Sequence, residues 1–185
     1  MEPHKFSQLQ GADTLPHVYP NVWEVEQTTG PERLVIAPSA NHIDLIIELT
    51  RRLPEPFGVL YVLVVPRGDS GEPGRYQSSE PCDRNELESF LKRFQKYFES
   101  DARQHLWIFS LPSEAQLIYD NHNVIYGYGP IDEFKSVLAA KGLTAGQVTF
   151  PSPHTHNYNT EFDEDEHQVM NYWKWKYFPL TESDD

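Results

Sequence analysis

Gly58-Val-Leu-Tyr-Val-Leu-Val-Val65 is the longest apolar run in the chain. A valine-rich run without polar alternation reads as a strand covered on both faces. It is far too short to cross a bilayer, which takes about 20 apolar residues in a helix. The sheet is therefore built outward from this strand.

Upstream, residues 41–53 place His42, Leu45, Ile46, Leu49 and Leu53 on one face of a helix. Ser39 or Asn41 can cap its start, and Pro54 stops it. Before it, Val22–Glu26 and Arg33–Ala37 flank the turn residues Thr28-Thr-Gly-Pro-Glu32, the pattern of a hairpin. Residues 1–20 read as an irregular arm. Downstream, 66–82 is rich in Gly, Pro and Ser and reads as a long loop. Asp83-Arg-Asn-Glu86 is a capping box, and behind it Leu87, Phe90, Leu91, Phe94, Tyr97 and Phe98 repeat at helical spacing to about Glu99.

Leu106–Ser110 reads as a strand. Leu117–Tyr119 and Val124–Tyr128 flank the turn Asp120-Asn-His-Asn123. Pro130 opens a helix that buries Ile131, Phe134, Val137 and Leu138, with Gly142 beyond its end. Gln147–Phe150 is a last expected strand. A final helix opening at Thr160–Asp163 would carry Val169, Met170, Trp173 and Tyr177. The order ββαβαβββαβα describes one α+β domain over 21–178: a mixed, mostly antiparallel sheet of about six strands with three or four helices packed on it. Residues 179–185 are expected to be a disordered acidic end.

The net charge is -13, from 15 Lys/Arg against 28 Asp/Glu. Residues 151–185 contribute -6 of it and the rest of the chain -7, so the tail is the denser in negative charge. This balance argues against nucleic acid and against anionic membranes, both of which need clustered Lys/Arg. It favours a cation or a basic protein partner. The single cysteine, Cys82, and a start without a basic-then-apolar leader lead to an expected cytoplasmic location.

The chemistry-bearing residues crowd the tail. His154 and His156 flank Thr155, and alternate residues of an extended segment point the same way, so the two imidazoles can grip one ion. Glu161, Asp163, Asp165 and His167 can complete an N/O set suited to a divalent transition metal. His154-x-His156-x4-Glu161 resembles the first half of the cupin metal motif. The flanking glycines and the second half of that motif are absent. A metallo-β-lactamase pattern would need an aspartate where Tyr158 stands.

Other signals are local. Gly68-Asp-Ser-Gly71 resembles hydrolase nucleophile signatures and nominates Ser70, although Gly71-Glu-Pro-Gly74 leaves no helix behind it. Cys82 precedes a helix, with Glu80 and Asp83 opposing thiolate formation. Asp120, His122 and Asn123 are turn formers first. Tyr126-Gly-Tyr-Gly-Pro130 lacks the lysine of a phosphate loop. Trp173 and Trp175 diverge by about 200° on a helix, so one indole should face outward, and with Tyr177 they are interface candidates.

Three functions follow as expectations. The first is a non-enzymatic interaction module, of inhibitor, immunity or regulatory type, that binds a basic partner or a second copy of itself. The second is a metal-binding protein or metal-dependent enzyme using His154, His156, Glu161 and His167. The third is a serine hydrolase at Ser70.

Overall fold

The computed structural model describes residues 2–67, 71–182 and 184. In chain order, its first elements are β1 (Phe6–Gln10), β2 (Asp13–Pro16), β3 (Val22–Glu26), β4 (Arg33–Ala37), α1 (His42–Thr50), β5 (Phe57–Leu63) and β6 (Gly74–Ser78). The middle of the chain forms α2 (Arg84–Arg93), α3 (Gln95–Ser100), β7 (Gln104–Ser110), β8 (Gln116–Tyr119), β9 (Ile125–Tyr128), α4 (Ile131–Ala140) and β10 (Thr144–Ala145). The end supplies β11 (His154–His156), a 3-10 turn at Thr160–Phe162, α5 (Asp163–Met170) and β12 (Trp175–Phe178). The fold is α+β, with nine strands in the order β10-β3-β4-β9-β8-β7-β5-β6-β12 and a small sheet β11-β1-β2.

β5 is buried along its whole length, as its unbroken apolar run requires. It pairs antiparallel with β6 on one side and β7 on the other. The sole parallel pairing among the described strands joins β10 to β3. Alternation on β7 separates the faces: Gln104, Leu106, Ile108 and Ser110 are buried, while His105, Trp107 and Phe109 are half-buried. Leu106 and Ile108 meet Ile43, Ile46 and Leu49 of α1, Leu87, Phe90 and Leu91 of α2, and Phe134 and Leu138 of α4 in the main core. The helices thus cover one face. The opposite face is closed at one end, where Phe6, Tyr19 and Val148 pack on Val35, Ala37 and Val124, and over β5, where Leu60 and Val62 are buried.

The Asp83 capping box forms as expected, with Glu86 N–H donating to Asp83 Oδ1 at 2.9 Å and Asp83 N–H to Glu86 Oε2 at 3.0 Å. α1 is capped differently. Asn41 takes a left-handed conformation and gives no side-chain bond; Glu99 of α3 instead accepts the Ile43 N–H at 2.8 Å. The long helix expected to reach Glu99 is two, divided at Phe94, and all six of its apolar positions are buried.

Four expectations need correction. Residues 1–20 are not an irregular arm, because β1 and β2 form a hairpin whose outer partner is β11. That partner lies nearly the full chain length away, out of reach of any local pattern. The loop 66–82 contains β6, which begins at Gly74, where an added side chain would push against the Tyr177 ring. Gln147–Phe150 is not a strand; the short β10 stands just before it. The last helix stops at Met170, and Trp175–Phe178 continues as a strand paired with β6.

That last change removes the forced outward indole. Trp173 packs on Phe90 with centroids 4.4 Å apart, and Trp175 lies 6.3 Å from Tyr61; both are half-buried. Within this block the exposed aromatics are Tyr177 and Phe178, on the strand at the sheet edge. In the acidic end, Asp184 is buried and accepts the Thr181 N–H at 2.7 Å. Among the described residues no helix is long and apolar enough to cross a membrane.

Candidate metal centre

The turn between β8 and β9 is organised by one aspartate. Asp120 Oδ1 accepts the N–H groups of His122 at 2.9 Å and Val124 at 2.8 Å, the local bonding that makes Asp a turn former. Asn123 takes the left-handed position that a tight turn needs, with φ of 62°. The other carboxylate oxygen, Oδ2, lies 3.2 Å from His122 Nδ1. Burial works against charge on Asp120, but the His122 bond, the Val124 N–H and His105 outweigh it and hold the carboxyl below its ordinary range. Asp120 is thus an ionised acceptor, and His122 Nδ1 carries its proton.

β11 presents His154 and His156 to the same side, as alternation predicts. It is held by β1, with Phe6 opposite His156 and Gln8 opposite His154. His154 Nδ1 donates to the Pro151 carbonyl at 2.9 Å. A carbonyl only accepts, so this nitrogen also carries a proton.

The turn and the strand meet. His122, His154 and His156 each offer a ring nitrogen, all within 4.8 Å of one another. His122 Nε2 and His154 Nε2 stand 3.2 Å apart. His156 Nε2 is buried without a hydrogen-bond partner. Burial first, then His122 and His154, bring the His156 pKa down to about 4, which keeps the ring neutral near neutral pH. Phe6 and Phe150 pack edge-on to His122 at 5.7 and 5.4 Å and form an apolar wall around the rings.

Glu161 and His167 lie elsewhere. Glu161 pairs with Lys96 at 3.1 Å, and His167 is exposed on α5 beside Asn171. The acidic run turns to arginine instead. Buried Arg103 bonds Asp101 at 2.8 Å and Glu166 at 2.7 Å and reaches Asp163 at 3.0 Å. Asp163 also pairs with Arg67 at 3.0 Å. This network fastens α5 to the start of β7. Cys82 is buried, and burial, with Glu86 and Asp83 adding to it, pushes its thiol up to about 12, away from nucleophilic use. Ser70 lies outside the described residues.

His122 is the member that the sequence pattern does not single out. The signal that finds it is Asp-x-His in a tight turn, which puts a carboxylate beside Nδ1 and turns Nε2 outward. Beside the histidines runs a cleft of about 620 Å³ on the bare face of the sheet. Trp107, Ile118, Tyr126, Tyr128 and Phe150 give it an apolar floor, with Arg33 and Gln116 among its polar groups. Comparison of the chain with protein-family models, with curated proteins and with solved structures finds no match.

Proposed function

We propose that this protein is a metal-dependent enzyme whose ion is held by His122, His154 and His156. One observation carries the reading. Both Nδ1 atoms have acceptors of their own, so in neutral rings the two Nε2 lone pairs face each other across 3.2 Å. Two acceptors at that distance repel unless a metal ion stands between them or one ring takes up a proton. Tetrahedral zinc with Zn–N bonds of about 2.0–2.1 Å sets its ligand nitrogens roughly 3.3 Å apart.

The surroundings favour the same conclusion. The Asp120 carboxylate and the Pro151 carbonyl fix the two tautomers, as outer-shell acceptors do for metal-bound imidazoles. An all-imidazole set suits Zn, Cu, Fe or Ni and not Mg or Ca. Three protein ligands leave a fourth position for water or substrate, and the adjoining cleft gives access to it. The chemistry that fits is Lewis-acid activation, a bound water made nucleophilic near neutral pH or a carbonyl polarised for attack.

The test is metal analysis of the protein purified without a polyhistidine tag, followed by calorimetric titration of zinc into chelator-treated protein. One ion per chain, lost in a His122→Ala/His154→Ala variant that keeps its fold, is the expected result. A metal-free preparation that takes up no zinc, copper, iron or nickel would remove the proposal.

A second reading has its own observation. Tyr177 and Phe178 are 50% and 46% exposed on the edge strand β12, which suits contact with a second chain. Lys176 on the same strand opposes strand addition, since an edge charge disfavours it. Sedimentation of the wild type and of Tyr177→Ser decides it. A dimer that the substitution dissolves supports self-association, and a monomer at all concentrations ends that form of it.

A further inference from the structure

We infer that the cleft beside the histidines binds a small aromatic acid, its ring on Ile118 between Trp107 and Tyr126 and its carboxylate at Arg33, with the opposite end of the ring toward the metal. The ligand's orientation rests on the metal reading; the class of ligand rests on the cleft alone.

The pairing register lays out the floor. Tyr126 stands opposite Ile118, and Ile118 opposite Trp107, so one row of the bare face is aromatic–aliphatic–aromatic. The next row holds Tyr128 opposite Gln116. Asp120, which holds His122, lies four residues from Gln116 along the same direction, about 13 Å at strand spacing. The cleft therefore has a middle of Ile118 between two rings that carry arginines, Arg75 over Trp107 at 5.3 Å and Arg33 over Tyr126, with a histidine end and an Arg33–Tyr128 end. A single ring with substituents at opposite ends fits this layout.

Charge sets the second requirement. Arg33 lies over the Tyr126 ring at 4.4 Å. Glu26 accepts from its Nε, which fixes the plane of the guanidinium, and Nη1 donates to the Tyr128 hydroxyl at 2.9 Å. Because that hydroxyl accepts from arginine, its own proton is left to donate to an incoming acceptor. A guanidinium edge beside a hydroxyl donor is a carboxylate receptor. Asp120, the one carboxylate among the described residues that line the cleft, is turned to its own backbone and to His122. Glu26 answers the Arg33 charge through Nε, and Nη2, which has no protein acceptor among the described residues, is the edge left to a ligand carboxylate.

The experiment is calorimetric titration of 4-hydroxybenzoate, and of its neutral amide, into zinc-loaded and metal-free protein, with the zinc content of each sample measured first. The acid is expected to bind at least about tenfold more tightly than the amide, the worth of a charge-assisted bond. Arg33→Gln should abolish that ratio, Tyr128→Phe should reduce it, and Trp107→Leu should weaken both ligands alike. Each variant is first shown to melt like the wild type. Equal binding of acid and amide, an Arg33→Gln variant that keeps the ratio, or no binding of either would overturn the inference. Zinc uptake without acid binding ends this inference and leaves the metal reading intact. Acid binding through Arg33 without zinc uptake does the reverse, removing the metal and the orientation while the ligand class stands.

Discussion

His122 Nε2 and His154 Nε2 meet at 3.2 Å although each ring has already given its Nδ1 proton to an acceptor of its own. One ring comes from a β8–β9 turn and the other from the strand laid against β1. The contact joins the main sheet to the small sheet.

The Asp120 carboxylate should tune the metal without touching it. Asp120→Asn keeps the shape of the turn but loses the charge that holds His122 in one tautomer. Its zinc affinity should fall about 10- to 100-fold, as for other outer-shell partners. Competition with a chromophoric chelator measures this. An unchanged affinity would mean that His122 is not a ligand.

Zinc should stabilise the fold through the same residues. At a free concentration 100 times the dissociation constant, the gain is about 2.7 kcal/mol. Urea denaturation with and without zinc reads it, and the His122→Ala/His154→Ala variant should show no gain.

Phe6 couples the N-terminal hairpin to the centre. It is 1% exposed, sits opposite His156 in the small sheet and packs edge-on to His122 and His154. Phe6→Ala should cost about 3–5 kcal/mol and weaken zinc binding as well. Phe6→Leu should recover most of both. A loss of stability with intact zinc affinity would show that the hairpin does not position the ligands.

Arg103 holds the tail on the sheet. Arg103→Met leaves Asp101 and Glu166 buried without their partner, which costs about 3–5 kcal/mol. Replacing all three with uncharged residues, Arg103→Met with Asp101→Asn and Glu166→Gln, should cost less than the single change. Equilibrium unfolding in urea compares the two.

Acid should unfold the protein partly through His42. Burial, with Lys5 adding to it, lowers the His42 pKa to about 3, while Asp120 and the Pro38 backbone act in the other direction. The unfolded chain takes up this proton near 6.5 and the folded chain only near 3. Stability is therefore lost as pH falls through that window, with a slope approaching about 1.4 kcal/mol per pH unit. His42→Phe can keep the stack on Tyr119 and remove the slope. Urea midpoints from pH 7 to 4, measured in chelator, provide the comparison. Parallel curves for the two proteins would assign the acid sensitivity elsewhere.

The sequence by itself determined the elements whose pattern is local. The apolar run at β5, the Asp83 capping box, the six buried positions from Leu87 to Phe98 and the turn at Asp120 all follow from residues adjacent in the chain or one helical turn apart. His154 and His156 were legible for the same reason, since alternation alone puts both rings on one side. Tertiary structure decided what depends on distant pairing. β11 exists because β1 lies against it, and the aromatic tail is a strand because β6 offers it an edge. The third histidine and the cleft belong to the same class. No spacing rule links residue 122 to residue 154, because a metal site is a meeting of side chains in space and the path between them is set by the sheets.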